Sequence, residues 1–283
     1  MKAEAIGVIA RPGSDISKRI AVRTIEILKN LGAEPLVERE TKHAYPDLEA
    51  PGVFDVERDP PAKIVVIGGD GTLLRAALRL GDKDALIMAV RAGKRGFLLD
   101  IDESTLEERL RDFVEGRLTV VEHQRVRPLL NETPLPCVLN DVVIFTAEGS
   151  MVRADVYSID GERIMGVDGD GIVISTTTGS TAYSLNAGGP IIDPLLDVVV
   201  VTPLNPVQLF LRPVVIGRSR GVRVRVRADS GSSLLILDGQ VKYPLRPNDE
   251  VKVVPCPKPL RVARYQWWSG YYDRLFARLL SYW

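Results

Sequence analysis

Between Lys63 and Leu78 the chain reads KIVVIGGDGTLLRAAL, an apolar run that ends in Gly68-Gly69-Asp70-Gly71-Thr72 and passes straight into a helical pattern. Backbone N–H groups in a glycine turn, backed by a helix N-terminus, form a concave donor site suited to phosphate. Glycines also let an anion approach without meeting Cβ atoms. A carboxylate inside such a site repels its ligand unless it binds a metal ion or takes a proton from an attacking hydroxyl. Both are steps of phosphoryl transfer. Asp70 is therefore the candidate catalytic residue, with Gly68, Gly69, Gly71 and Thr72 as the phosphate-side turn. The competing reading is architectural: glycines at positive φ and Asp70 as a helix cap. Neither Walker-type Gly-Lys-Ser nor G-x-G-x-x-G after a strand is present, so a kinase here works without a P-loop.

Two further stretches carry chemistry. Asp168 to Pro190 reads DGDGIVISTTTGSTAYSLNAGGP, rich in small polar residues around one aromatic, Tyr183. It suits either a surface loop leading to a capped helix or a close-fitting wall for a flat ring. Asn140-Asp141 interrupts the apolar CVLNDVVIF. Neighbouring side chains on a strand face opposite ways, so at least one of the pair points to a core or pocket face. There it bonds to nearby backbone or holds a ligand, because burial without a partner is costly.

The elements that position these residues differ between the two halves. Over residues 1–117 short apolar runs alternate with helical patterns. AIGVIA, EPLVE, KIVVI and ALIMAV read as strands, and helices follow Ser14-Asp15, start at Thr72, and span Ser104 to Glu115 with Ser104 and Glu107 as a capping box. This alternation predicts an α/β domain, a parallel sheet flanked by helices, with ligands at the carboxyl ends of its strands. Over 118–264 the period shortens toward two. TVVEHQRVRPLL, CVLNDVVIFT, MVRADVYSI, GIVIST, DVVVVTPL, GVRVRVRA and SLLILDG predict a β-rich domain, with a hairpin turn at Asp160-Gly161 and one short helix near Ala182 to Ala187. Residues 265–283 form an aromatic tail expected to be a helix that packs back on the body.

Composition narrows the function classes. The formal net charge is zero, which removes the general electrostatic case for nucleic-acid binding. No apolar run is long enough to span a bilayer and the first residues do not resemble a signal peptide, so a cytoplasmic protein without membrane contact is expected. Cys137 and Cys256 stand far apart and only His43 and His123 accompany them, which argues against a protein-built metal site. Both cysteines are expected to be reduced packing residues. Nucleophilic catalysis through a histidine pair is hard to build from so few, with His123 left open. Scarce Lys, Asn, Gln and Met hint at a heat-adapted source.

Taken in order, the glycine turn, GKRGFL at Gly93 to Leu98, Asn140-Asp141, GDG at Gly169 to Gly171, TGSTAYSLNAGGP from Thr178, TPLNP at Thr202 to Pro206 and LDGQ at Leu237 to Gln240 resemble the NAD kinase family. The glycine turn is shared with other kinase families; the Thr178 segment is far more specific. The resemblance implies phosphorylation of the adenosine-ribose 2′-hydroxyl of NAD by ATP and a divalent cation, Mg²⁺ or another, carried mainly by the donor. It implies that Asp70 orients or deprotonates that hydroxyl, beside Gly71. Phe97 stands at the nucleotide, Asn140 and Asp141 at the adenosine end, and Asp170 toward the nicotinamide side. Thr181, Ala182 and Tyr183 form a nucleoside wall, and Asn186 and Gln240 complete the NAD-binding set. A homodimer or homotetramer is implied, with the site between the domains.

The chain departs from the family pattern at Thr177, where the family often has Pro, and at Arg91, where it usually has Asn. Arg91, Lys94 and Arg95 surround Gly93, and at least one is expected to meet donor phosphates. This leaves inorganic polyphosphate open as a substitute for ATP. Two rival functions remain: a lipid or sugar kinase sharing only the glycine turn, and a nucleotide sensor with the same pocket and no turnover.

Overall fold

A computed structural model describes residues 3–93, 96–265 and 270–280. Its backbone contacts divide the chain into two units, Met1–Glu122 with Leu260–Trp283, and His123–Pro259.

The first unit opens with β1 (Ala5–Ala10), α1 (Asp15–Asn30), β2 (Glu34–Glu38), α2 (Arg39–Ala44) and β3 (Gly52–Phe54). It continues through β4 (Lys63–Gly68), α3 (Asp70–Leu80), β5 (Leu86–Arg91), α4 (Leu106–Val114) and β6 (Thr119–His123). Ser14 caps α1, its hydroxyl accepting the N–H of Ser17 at 3.2 Å. That helix lays Ile20, Ile25 and Leu28 against Ile6, Val8, Val65 and Ile67 of the sheet. Each such aliphatic side chain contributes about 1.5–3 kcal/mol when fully buried. β1 pairs in parallel with β2 and β4, and β4 with β5, as the strand–helix alternation predicts. Parallel strands covered on both faces need continuous apolar runs, and Ile64 to Ile67 is one, wholly buried.

The expected capping box at Ser104 and Glu107 does not form. The helix α4 starts two residues later, with Thr105 as N-cap and no side-chain cap bond, and Asp102 ties the turn ahead of it: its Oδ1 accepts the Ser104 N–H at 3.1 Å and the Ser104 hydroxyl at 2.6 Å. An Asp two residues ahead competes well for backbone N–H groups in a turn.

The second unit holds β7 (Val126–Leu130), β8 (Thr133–Pro134), β9 (Asp141–Thr146), β10 (Val152–Ser158), β11 (Arg163–Gly169) and β12 (Gly171–Thr176). After the short helix α5 (Tyr183–Asn186) come β13 (Val198–Leu204), β14 (Val214–Gly217), β15 (Val222–Val226), β16 (Ser233–Leu237), β17 (Val241–Leu245) and β18 (Glu250–Pro255). They form two six-stranded sheets, ordered β11-β10-β15-β18-β7-β8 and β14-β13-β12-β9-β16-β17. TVVEHQRVRPLL, read as one strand, is two: β6 joins the first unit's sheet and β7 the second's. The predicted strand at CVLNDVVIFT begins only at Asp141.

The chain then returns to the first unit. β19 (Leu260–Arg264), placed by sequence with the β-rich half, pairs in parallel with β5, giving the order β3-β2-β1-β4-β5-β19-β6. Alternating apolar residues alone do not tell which sheet a strand joins. α6 (Tyr271–Leu280) packs back as expected, with Tyr271 and Leu275 buried.

The reduced-cysteine expectation is overturned: Cys137 and Cys256 form a disulfide across 119 residues of sequence. Sheet register explains the meeting. Val126 bridges Val138 and is also the partner of Pro255, so the residues next to those two positions converge. Sequence separation carries no information about such long-range register.

Candidate active site

The glycine turn sits where β4 ends and α3 begins, at the carboxyl edge of the parallel sheet. None of Gly68, Gly69 and Gly71 has a positive φ, so turn conformation does not explain them. Gly68 is required by packing, since a Cβ there would lie 2.3 Å from the Thr72 hydroxyl oxygen. At Gly69 and Gly71 an added Cβ has no atom of the described residues within 4 Å, the backbone of α3 apart. Gly69, not Asp70, is the N-cap residue, and its N–H donates to the Thr72 hydroxyl at 3.4 Å.

Asp70 instead turns its carboxylate to the loop after β5. Oδ2 accepts the N–H of Phe97 at 2.7 Å and Oδ1 the N–H of Leu98 at 2.8 Å. A carboxylate has about four lone-pair sites, so each oxygen keeps capacity to accept again. The Phe97 ring stands edge-on to Tyr271 of α6, centroids 6.0 Å apart. Arg91 is the register partner of Gly68 and so stands beside the turn. Its guanidinium lies 3.4 Å from Asp102, but the Ser104 hydroxyl is the main cause holding Asp102 below the usual carboxylate range, and Arg91 the smallest. Lys94 and Arg95, the other two expected donor contacts, lie outside the described residues.

A second cluster forms in the other unit around Asn140 and Asp141, at the start of β9. Both are buried, and the Asn140 side-chain oxygen has no hydrogen-bond partner among the described residues. Asp238, at the end of β16, organises their backbone: one oxygen accepts the N–H of Leu139 at 2.8 Å, the other those of Asn140 at 2.8 Å and Asp141 at 3.0 Å. Burial pushes Asp238 up to about 6 against the pull of those three N–H groups. Asp141 is pushed up to about 7, by burial first and by the Asp238 charge second. The N–H groups favour the ionised form on Asp238, so of the two Asp141 keeps its proton to the higher pH.

The TGSTAY segment packs directly on this pair. The Thr176 N–H donates to the Asn140 carbonyl at 2.8 Å, and a Cβ on Gly179 would lie 2.1 Å from that same oxygen. Thr176 also donates its hydroxyl to Leu139 and accepts the Gly179 N–H, closing the short 3₁₀ turn that carries Thr181 into Ala182 and Tyr183. Tyr183 is 40% exposed, with its hydroxyl pKa raised by burial and by the charges of Asp141 and Asp170. Asp170 precedes β12 and accepts from the Asn205 side-chain amide at 2.7 Å. These contacts gather Asn140, Asp141, Asp170, Thr181, Ala182 and Tyr183. Asn186 and Gln240 are exposed, at the end of α5 and in the β16–β17 turn. His123 is taken up by the Thr178 hydroxyl, 3.1 Å from Nδ1, and Thr177, at the family's proline position, donates to the Leu196 carbonyl. Asp238 was not singled out in the sequence; its place in LDGQ, a lone acid ending an apolar strand, was the available signal.

Among the described residues no trio of His, Cys, Asp or Glu ligand atoms includes Asp70. One carboxylate beside a phosphate turn still fits Mg²⁺, which is commonly held by one or two carboxylates together with substrate phosphates.

The model of the ATP-NAD kinase N-terminal domain matches residues 6–118, and that of the C-terminal domain residues 139–265. An NAD kinase from Aeropyrum pernix is 45% identical over 280 residues, 99% of each chain. One from Thermococcus gammatolerans is 34% identical over 260 residues, 92% of this chain and 93% of the relative. Among solved structures, yeast NADH kinase complexed with NADH has a TM-score of 0.89 at 20% identity, over 99% of this chain and 88% of that one. An NAD kinase from Archaeoglobus fulgidus in complex with ATP has 0.77 at 24%, over 98% and 99%. Likeness at those identities speaks for the fold alone. With both halves matched in order and a relative 45% identical along its length, the chain belongs to the NAD kinase family.

Proposed function

We propose that the chain transfers the terminal phosphoryl group of ATP to the adenosine-ribose 2′-hydroxyl of NAD, giving NADP. The observation that carries this reading is the Asp70 carboxylate. It lies at the first residue of α3, beside a glycine turn with room for an outside group, and two backbone N–H groups hold it in one orientation. A carboxylate fixed in this way can accept the 2′-hydroxyl proton as the oxygen attacks phosphorus. The N–H groups at the helix start and the Gly69–Gly71 backbone receive the donor phosphates. Arg91, next to Gly68 in the sheet, adds charge to them, and polyphosphate would meet the same groups. Mg²⁺, held by Asp70 and the donor phosphates, would neutralise charge on the transferring group.

In the second unit the unpartnered Asn140 oxygen suits a donor on the adenosine, such as the adenine amine, and protonated Asp141 suits a ribose or ring acceptor. Tyr183, with Thr181 and Ala182, forms the nucleoside wall; Asp170 faces the other end of the dinucleotide, and Asn186, Gln240 and Phe97 complete the set. The NADH and ATP in the two solved relatives agree with this substrate pair. Self-association is part of the proposal. Leu209 and Phe210 are 81% and 92% exposed beside β14, an edge strand that also exposes Val215, and a second copy of the chain would cover them. No helix among the described residues is long and apolar enough to cross a membrane, and we place the enzyme in the cytoplasm. The disulfide does not oppose this where the source is heat-adapted.

The test is NADP formation from purified protein, NAD, Mg²⁺ and either ATP or polyphosphate, read by an NADP-specific dehydrogenase, beside an Asp70→Asn control. Product from the native chain alone supports the reading. NAD binding without product from either donor favours the sensor, and no NAD binding favours a kinase with another acceptor.

A further inference from the structure

The loop from Gly96 to Asp100 belongs to no helix or strand, yet it carries the two N–H groups that orient Asp70. Loops of this kind ordinarily sample conformations on the nanosecond to microsecond scale. Something must hold this one, since the Asp70 carboxylate can be no better placed than its partners. Gly96, at φ +151, sits where a Cβ would crowd Leu99 Cδ1 at 3.1 Å and stand in contact with Asp70 Oδ1 at 3.7 Å. On the far side, Arg264 at the end of β19 donates from Nη1 to the Leu98 carbonyl. The same Nη1 lies 3.4 Å from Asp100 Oδ1, while Asp100 Oδ2 accepts the N–H of Tyr265 at 2.7 Å. The Arg264 side chain is 0% exposed and that of Asp100 9%.

We infer that Arg264 is a positioning residue for phosphoryl transfer, holding Leu98 by its carbonyl so that the N–H groups of Phe97 and Leu98 fix the Asp70 carboxylate. The inference rests on the reading of Asp70 as proton acceptor. Leu98 is tied at both poles, by its N–H to Asp70 and by its carbonyl to Arg264. A fully buried guanidinium is a poor way to gain stability, because desolvation offsets much of its attraction to a carboxylate. What it supplies is a rigid planar guanidinium whose Nη1 reaches two acceptors on one loop. β19 is anchored in turn by its parallel pairing with β5, the strand from which the loop departs. The last strand of the chain thus sets the geometry of an acid almost two hundred residues earlier, without touching substrate.

Arg264→Lys keeps the charge opposite Asp100 but loses the rigid guanidinium that places Nη1 between the two acceptors. Steady-state NADP formation by the full chain is to be measured for this variant in the native and in the Asp70→Asn background. Melting temperatures and amide exchange over residues 96–100 are read on the same samples. The expected result is a kcat lower by about 10- to 100-fold with little change in either KM, and faster exchange at Phe97 and Leu98. In the Asp70→Asn background the same change should cost nothing further, because both residues act through one group. An unchanged kcat in a folded Arg264→Lys enzyme overturns the inference, as does an equal loss in both backgrounds. If Asp70→Asn alone keeps normal turnover, the reading of Asp70 falls and this inference with it. An inactive Asp70→Asn enzyme beside an unimpaired Arg264→Lys enzyme removes this inference alone. Should Arg264→Lys not fold, Asp100→Asn leaves the arginine in place and loosens its hold; a normal kcat and slow exchange there would be equally fatal.

Discussion

Asp70 and Leu98, 28 residues apart, are joined by a 2.8 Å hydrogen bond from the Leu98 N–H to the aspartate carboxylate. With the companion bond from Phe97, it makes the acid a part of the loop's architecture as well as of the chemistry. Asp70→Asn should therefore act twice. Loss of the proton acceptor should lower kcat by about 10²- to 10⁴-fold. Loss of a charge-assisted acceptor should cost about 1.5–3 kcal/mol of stability. Kinetics and thermal melting on one preparation separate the two, and near-normal turnover would leave Asp70 only the structural role.

Two glycines of the turn should respond in opposite ways. At Gly71, inside α3, a methyl group meets no neighbour among the described residues, and Ala in a helix is favoured over Gly by about 0.5–1 kcal/mol. Gly71→Ala is expected to hold or raise the melting temperature while weakening use of ATP. Gly68→Ala forces the Thr72 side chain aside and should destabilise. If Gly71→Ala left the donor kinetics untouched, phosphate would not approach there.

Arg91→Ala should raise the KM for the phosphate donor about tenfold, the loss of roughly 1.4 kcal/mol of binding, and leave that for NAD alone. Its half-exposed pair with Asp102 contributes under about 1 kcal/mol, so thermal stability should scarcely change. An unchanged donor KM would return Arg91 to a surface role.

The buried Asp141–Asp238 pair makes stability depend on pH. Both carboxyls are raised in the folded chain, to about 7 and about 6, above an ordinary value of 3.8. The folded state then binds more protons than the unfolded state between pH 4 and 7, so this pair's contribution falls as pH rises through that window. Unfolding by urea at pH 5 and pH 8 should show Asp141→Asn gaining stability relative to the native chain at pH 8 and little at pH 5. The reverse order would mean that Asp141 is ionised and paired.

Reduction of the Cys137–Cys256 bond, which closes 119 residues, should lower the unfolding free energy by about 4–5 kcal/mol in the chain-entropy account. Denaturation with and without reductant measures it, against a Cys137→Ser, Cys256→Ser double variant. Equal midpoints in all three would mean that the bond constrains little.

The periodic signals reached far. Ile64 to Ile67 read as a buried parallel strand because both faces of that sheet are covered, and Ser14 announced α1 through a local bond to Ser17. The Thr178 segment and Asn140-Asp141 stand out in the sequence because small polar residues and a lone acid in apolar surroundings are unfavourable without a reason, and the fold packs the two stretches together. The capping box expected at α4 fails because Ser104 gives both its N–H and its hydroxyl to Asp102 and the helix starts beyond it.

By itself, then, the sequence determined residue type and local period: a glycine turn with one carboxylate, strands alternating with helices, then a β-rich half, and the family motifs in order. Tertiary structure decided everything that joins distant positions. It sent β19 back to β5, brought Cys137 to Cys256, gave Asp238 the three N–H groups around Asn140, and turned Asp70 from the start of its own helix toward Phe97 and Leu98. The physical reason is common to all four. A hydrogen bond or a strand pairing depends on which surfaces the folded chain brings within about 3–5 Å, and sequence spacing fixes that distance only inside a single helix, strand or turn.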